Sequence, residues 1–321
     1  MAKILVTGGA GFIGSHIVDR YIALGHEVLV VDNLITGQRE NVNPRARFFR
    51  LDICDPDCAM LIRLEQPEII NHHAAQTMVR ISTEQPAYDA QVNVLGFINL
   101  LQAAVKAGVR KVIFASSGGT VYGTSDRLPL TEDQPFAPES PYGISKVASE
   151  FYLRYYAAVH GLRYTALRYA NIIGPRDTVS SEHVITVFIH RLLAGRPPII
   201  QWDGEQAKDY LYVDDVVEAN VLALERGDNA AYNIGSGRPV SVNEIYRLLT
   251  EITGIHIPAE HGPKRPGDVR LFYLDCSKAA RELGWRPAVP FEEAVARTVA
   301  WHRARAEAQA GLAELAANAR R

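Results

Sequence analysis

Lys3-Ile-Leu-Val-Thr-Gly8-Gly9-Ala-Gly11-Phe-Ile-Gly14-Ser-His-Ile-Val18 is the stretch that decides the fold of this chain. An apolar run of strand length breaks into glycines, and apolar residues then resume at helical spacing, so it reads strand, tight turn, helix. Gly8, Gly11 and Gly14 let the backbone approach a pyrophosphate and let the helix pack close to the strand. The helix N-terminus offers unpaired N–H groups to the anion. Alone, such a pattern is a weak signal, equally compatible with an ordinary glycine turn.

A second element strengthens it. Glu27-Val-Leu-Val-Val-Asp32 is an apolar strand ending in an acid at about the ~20-residue offset expected of a group that accepts from both hydroxyls of a ribose. No arginine follows Asp32 directly to hold a 2′-phosphate, Arg39 being the first available, so NAD is expected rather than NADP. Further apolar runs near 46–51, 68–72, 111–116 and 163–168 join those at 3–7 and 27–32, with helices predicted between them. This alternation predicts an α/β chain with a Rossmann-type doubly wound parallel sheet. The segment from Ala87 to Ala107 carries apolar residues at helical spacing and ends at Gly108, a C′ glycine. Pro141 suits the first turn of a helix over 141–160. Beyond residue 175 the strands and helices shorten and proline becomes frequent, as in Arg196-Pro-Pro198, which predicts a smaller C-terminal lobe. The expected division is 1–175 for the dinucleotide domain and 176–321 mainly for a substrate lobe, with some later elements returning to the first. Arg303–Arg321 reads as an exposed helix.

Tyr142-Gly-Ile-Ser-Lys146 places a phenol and an amine on one helical face. A tyrosine hydroxyl titrates near ~10 in water and is a poor base at neutral pH unless a cation favours the phenolate. An isolated Tyr-x-x-x-Lys is usually an exposed pair; beside a dinucleotide loop it reads as a proton-transfer unit.

Composition narrows the class. The 321 residues are 47% hydrophobic with a net charge of −2, enough for a sizeable core and without the basic stripe that nucleic acid would need. No spanning segment or leader is read, since the first apolar run ends in glycines at residue 8, so a cytoplasmic enzyme with no membrane partner is expected. Cys54, Cys58 and Cys276 have no metal spacing and leave an odd thiol under any pairing, so they are expected to be reduced. His72-His73 lacks a third ligand in sequence, and no metal is expected.

Taken together the motifs resemble the extended short-chain dehydrogenase/reductase family and, within it, the UDP-glucose 4-epimerases. Thr7-Gly-Gly-Ala-Gly-Phe-Ile-Gly14, Asp32-Asn33-Leu34, Leu51-Asp52-Ile53, His73-Ala-Ala-Gln76, Asn93-Val-Leu-Gly96, Ser116-Ser-Gly-Gly-Thr-Val-Tyr-Gly123, Leu167-Arg-Tyr-Ala-Asn171, Asp209-Tyr-Leu-Tyr-Val-Asp214 and Arg265-Pro-Gly-Asp268 carry it with the Tyr–Lys pair. The resemblance implies that Gly8, Gly11, Phe12, Ile13 and Gly14 surround the pyrophosphate. It implies that Asp32 and Asn33 hold the adenosine ribose, that Asp52 and Ile53 meet the adenine, and that Ala74, Ala75 and Asn93 line the cofactor groove. Tyr142 would take the sugar C4 hydroxyl proton, with Lys146 on the nicotinamide ribose and keeping the phenol acidic. Asn171, Val184, Lys208, Arg265, Asp268 and Phe272 would meet the UDP-sugar, and relatives are commonly homodimers through the segments near 87–107 and 141–160. Inverting an unactivated carbinol carbon requires a planar intermediate, so C4 is oxidised by hydride transfer to NAD, the ketose turns its other face, and hydride returns.

Three departures bear on this. Gly118 stands where many relatives carry a Ser or Thr that assists the proton transfer. In an extended segment Thr120 would share a face with Gly118 while Ser117 points away, although the Gly-Gly pair can reverse that. Ser117 is the expected helper, Thr120 is expected to pack or bond to backbone, and Gly118→Ser is expected to be tolerated. Lys208 keeps a charge where the usual pattern has an arginine, and Arg176–His183 differs from the acidic, glycine-rich insert of close epimerases. Ser180, Ser181 and His183 therefore leave a UDP-glucuronate 4-epimerase or decarboxylase open, and a non-catalytic dinucleotide binder is the third reading.

Overall fold

The structure, a computed structural model, describes residues 1–264 and 269–318. In chain order its strands are β1 Lys3–Thr7, β2 Glu27–Val31, β3 Arg47–Phe49, β4 Ile69–His72, β5 Lys111–Ser117, β6 Arg163–Tyr169, β7 Asn171–Ile173, β8 Ile199–Gln201, β9 Ala207–Tyr212, β10 Ala230–Ile234, β11 Pro239–Ser241, β12 Glu260–Gly262 and β13 Leu271–Phe272. The helices are α1 Phe12–Ala23, α2 Pro56–Glu65, α3 Val79–Glu84, α4 Pro86–Ala90, α5 Phe97–Ala107, α6 Gly118–Val121, α7 Pro141–His160, α8 Val184–Leu193, α9 Val213–Ala223, α10 Val242–Thr253, α11 Ser277–Glu282 and α12 Phe291–Asn318. Between β2 and β3 the chain makes only a 3-10 turn at Arg39–Asn41, not the predicted helix.

Seven parallel strands form the main sheet in the order β10-β6-β5-β4-β1-β2-β3. Strand order reverses between β1 and β4, and such a switch point opens a crevice at the carboxyl ends of the strands. Register sets Thr7 opposite both Val31 and His72, so the loops that leave β1, β2 and β4 start level. Alternation along the strands sends Ile4, Val6, Val28 and Val30 to one apolar layer and Leu5, Leu29, Val31 and Ile70 to the other. Each such side chain fully buried stabilises by about 1.5–3 kcal/mol. Arg39 is stacked on Phe48, 4.6 Å from its ring centroid.

Local chemistry fixes the helices that matter to the site. Ser140 Oγ accepts from the Gly143 amide at 3.1 Å to cap α7, Pro141 opens it, and Gly161 closes it in the left-handed region. Gly108 ends α5 in the same way. Between α4 and α5 the helix widens into a π segment, Gln91–Gly96, a local bulge frequent at functional sites.

After β7 the chain builds a smaller lobe. β9 pairs antiparallel with β11 and parallel with β7 and β13, while β8 pairs with β12. The fully buried Asp209 ties it together, accepting from the Ser236 amide and hydroxyl at 2.8 and 2.6 Å, the Gly237 amide at 3.0 Å and the Leu274 amide at 3.2 Å. Residues 213–234 return to the main sheet, with α9 beside α1: Tyr21 donates to the Asn220 carbonyl at 3.1 Å.

Candidate active site

The turn after β1 is closed by its glycines. Gly8 has φ +70°, and a Cβ there would lie 2.6 Å from the Ala74 amide; a Cβ on Gly14 would lie 2.2 Å from the Gly8 carbonyl oxygen. Backbone fills both places, so α1 starts against the turn. Gly11 caps it with no side chain, leaving first-turn N–H groups at Phe12 and Ile13 aimed out of the helix end. Asp32 Oδ2 accepts from the Ala10 amide at 3.0 Å and Oδ1 from the Leu34 amide at 2.8 Å. Burial pushes its carboxyl up, opposed by those amides. Asn33 donates to Asp52 at 2.8 Å, Ile53 is buried against Gly96, and Ala74 meets Gly8. Asn93 donates to the Gln76 carbonyl at 2.8 Å and accepts its amide at 2.9 Å. The glycine cradle, the Asp32 carboxylate and the Asn33–Asp52 pair thus follow the carboxyl ends of β1, β2 and β3, and Ala75, next to Ala74 in the chain, is half-buried.

Tyr142 and Lys146 lie in the first turns of α7. Lys146 is buried, its ammonium donating to the Ala115 carbonyl at 2.8 Å, 4.9 Å from the Phe114 ring centroid and 5.6 Å from that of Tyr142. Burial pulls the amine down to about 8, against the charges of Asp89 and Glu150. Tyr142 is half-buried, and the Ser117 side chain lies close enough to its hydroxyl to favour the phenolate. Burial first and the Asp89 carboxylate second push its phenol up, with Ser117 working against them. This differs from the expectation that Lys146 keeps the phenol acidic. The ammonium donates to the Ala115 carbonyl, and its nitrogen lies 5.6 Å from the Tyr142 ring centroid.

The segment after β5 also differs from its extended reading. Residues 118–121 make one helical turn, which brings Ser117 to Tyr142 and leaves the Thr120 hydroxyl buried with no hydrogen-bond partner among the described residues. Thr120 therefore does not bond to backbone. At Gly118 a Cβ would lie 2.8 Å from Leu274 Cδ1 and 3.2 Å from the Arg168 carbonyl oxygen. Leu274 occupies the room that a side chain would need, so the expected tolerance requires that leucine to shift. Gly118→Ser is expected to lower stability modestly, since the buried Leu274 side chain has to shift to admit the new Cβ.

A parallel expectation concerns the two hydroxyls. Ser117→Ala should slow turnover about tenfold, the worth of one hydrogen bond of about 1.4 kcal/mol to the reacting phenol. Thr120→Val should leave it nearly unchanged, because its hydroxyl makes no bond. Steady-state rates of the two variants decide it, and the opposite order would reverse the assignment.

Around β9 the smaller lobe gathers Asn171, Lys208 and Phe272. Asn171 donates to the Asp209 carbonyl at 3.0 Å, and Lys208 and Phe272 are register partners. A methyl on Gly119 would lie 3.8 Å from the tip of the Phe272 ring and 4.0 Å from Ser117 Oγ, so that ring and the Tyr142–Ser117 pair border one space. Val184 opens α8, half-buried. Arg265 and Asp268 lie outside the described residues. Ser181 donates to the Thr178 carbonyl at 2.6 Å, Ser180 and Thr178 share a bond of 2.7 Å, and His183 meets Asp177 at 3.0 Å. Although burial opposes it, the Asp177 carboxylate holds the His183 imidazole above its ordinary value.

Sequence reasoning missed the residues behind the pair. Asp89, fully buried, accepts from Gln76 Nε2 at 2.9 Å, Asn93 Nδ2 at 3.0 Å and Ser145 Oγ at 2.6 Å. Glu150 accepts from Arg168 through both oxygens at 2.9 and 2.7 Å and from Ser116 at 2.7 Å. Ser145 and Glu150 share a helix with the Tyr–Lys pair, which was the one available signal.

Comparison with known proteins places this geometry. The UDP-glucose 4-epimerase of Mycolicibacterium smegmatis is 42% identical over 308 residues, covering 94% of this chain and 98% of its own. The crystal structure of a UDP-glucose 4-epimerase from Thermotoga maritima with UDP-glucose is 47% identical with a TM-score of 0.92, covering 94% and 98% of the two chains. That of a Thermus thermophilus UDP-glucose 4-epimerase in complex with NAD is 41% identical with a TM-score of 0.89, covering 94% and 99%. With the NAD dependent epimerase/dehydratase model matching residues 4–235, a cradle of glycines backed by Asp32 and faced by Tyr142 and Lys146 has a family to answer to: the chain belongs to the NAD-dependent epimerases and dehydratases.

Proposed function

We propose that this chain is an NAD-dependent UDP-glucose/UDP-galactose 4-epimerase, an isomerase that oxidises C4, turns the 4-keto sugar and reduces it again. The observation that carries the reading is the shared space between the Tyr142–Ser117 pair and the Phe272 ring, which brings proton chemistry and the smaller lobe together beside a dinucleotide groove. Relatives that match nearly the whole chain bear the same name.

Bound NAD supplies the hydride acceptor and a cationic ring. Tyr142 takes the C4 hydroxyl proton and returns it, and Ser117 holds the phenol oxygen in line. Lys146, on the same helix, would hold the cofactor ribose. Asp32 and Asn33 orient the adenosine ribose, and the α1 N-terminus receives the pyrophosphate. Asn171, Val184, Lys208, Arg265, Asp268 and Phe272 hold the UDP-sugar, the smaller lobe being the substrate side. Fixing one end of the substrate while the hexose turns is positioning rather than bond chemistry.

The UDP-glucuronate alternative needs Ser180, Ser181 and His183 to address a carboxylate. Both hydroxyls are engaged within their own loop, and Asp177 beside His183 would repel such a group. Incubation with UDP-galactose and chromatography of the products tests the reading. UDP-glucose supports it, whereas a decarboxylated product from UDP-glucuronate alone, or no product, overturns it.

Phe272 sets a further expectation. A bulky ring at this position leaves less room on that side of the sugar, so UDP-N-acetylglucosamine should be a poor substrate. Phe272→Ala should improve its kcat/KM relative to UDP-glucose. Efficient use of the acetamido sugar by the unaltered enzyme would remove Phe272 from this role.

Exposed apolar side chains on α4 to α5 and on α7, among them Tyr88, Leu95, Ile144, Phe151, Tyr155 and Val159, support a homodimer in which two helices from each subunit pack together. On α7 they recur at helical spacing along one stripe. No helix among the described residues is long and apolar enough to cross a membrane. An enzyme drawing on NAD and nucleotide sugars fits the cytoplasm, where both are used.

A further inference from the structure

A buried carboxylate without a bonded cation is costly, and it persists only where its hydrogen bonds or its charge serve something. Asp89 is such a group. It is wholly buried, and its partners are the neutral Gln76, Asn93 and Ser145. No ion pair with it is formed among the described residues. Its three donors come from three places: the turn after β4, the π segment, and α7 between Tyr142 and Lys146. The last contact is the shortest of the three, at 2.6 Å.

Resting on the epimerase reading, we infer that Asp89 is a positioning residue for the proton-transfer pair: through Ser145 it fixes the turn of α7 that carries Tyr142 and Lys146. The π segment makes this possible. Asn93 lies in that widened turn, donating at once to Asp89 and to the Gln76 carbonyl, so the cofactor groove and the helix of the pair are joined through one carboxylate. Ser149 adds a second tie, donating to the Asn93 carbonyl at 3.1 Å.

The charged and titratable groups facing Lys146 are Asp89 from α4, Tyr142 and Glu150 on its own helix, and His72 and His73 at the end of β4. Burial and then the Lys146 charge hold both histidines well below their ordinary value, His73 at about 3, so at neutral pH they are neutral. Asp89 and Glu150 are therefore the anions that keep the amine charged. Glu150 is committed to Arg168, whereas Asp89 forms no ion pair among the described residues.

The test is a carbon-13 NMR titration of the Lys146 side chain in the NAD-loaded protein, assigned by its disappearance in Lys146→Arg. Asp89→Asn should lower the Lys146 midpoint by about 1 pH unit, and Asp89→Glu should restore most of it. Ser145→Ala should leave the midpoint in place while slowing UDP-galactose turnover several-fold with little change in KM. In Asp89→Asn the alkaline limb of the kcat profile should move down together with the NMR midpoint. An unmoved midpoint in Asp89→Asn overturns the inference, as does wild-type kcat in Ser145→Ala. If Asp89→Asn yields no folded protein, the Ser145→Ala rate alone decides. Should the unaltered protein convert no UDP-galactose, the epimerase reading fails, and the NMR titration, which needs no substrate, still decides the role of Asp89.

Discussion

Tyr142→Phe is expected to cut turnover at least ~10²-fold, the usual worth of a positioned general base, while NAD and UDP-sugar still bind. The substitution removes one oxygen and opens no cavity, so neither the start of α7 nor the dinucleotide groove is disturbed. What disappears is the phenol oxygen beside Ser117 that accepts the proton from the sugar. Burial and Asp89 hold the phenol above its ordinary value here, so the rate should rise with pH as the phenolate becomes available, until loss of the Lys146 charge ends the climb. Cofactor content after gel filtration and single-turnover reduction of bound NAD separate binding from chemistry. A variant with unchanged NAD content that keeps more than a tenth of the wild-type rate would take Tyr142 out of the base role.

Much of this site was legible in the chain. The main-sheet strands before residue 170 fall within a residue or two of their apolar runs, because strands buried on both faces need unbroken stretches of Val, Ile and Leu. Gly8 and Gly14 could be read because a tight strand-to-helix turn leaves no space for a Cβ at either place, and Asp32 because an acid directly follows the second strand. What remained hidden depends on contacts between distant segments. Nothing near Gly118 says that Leu274 fills the room beside it, and Asp89 looks like any helix-surface acid until Gln76, Asn93 and Ser145 close around it. The helical turn at 118–121 likewise differs from the extended reading, glycine disfavouring helix and strand interiors alike.

The same distinction governs the largest stability effect expected. Arg168 and Glu150 are both almost fully buried and joined through two bonds, with Tyr122 and Ser116 completing the shell. Removing one partner leaves a bare charge inside the protein and should cost about 3–5 kcal/mol, measured by urea unfolding at neutral pH. The two single variants should not be equal. A carboxyl group left without its cation can take up a proton and become neutral, whereas a guanidinium cannot. Glu150→Leu should therefore be the more damaging, with a deficit that does not change with pH. Arg168→Met should approach the wild type as pH falls toward about 5, where the unfolded chain also begins to hold its carboxyl protons and the penalty for the folded one shrinks. The double variant Glu150→Leu/Arg168→Met should be more stable than either single one, since no unpaired charge remains. Additive losses, with the double variant the least stable of the three, would mean that the pair contributes favourable energy of its own and that desolvation is not the deciding term.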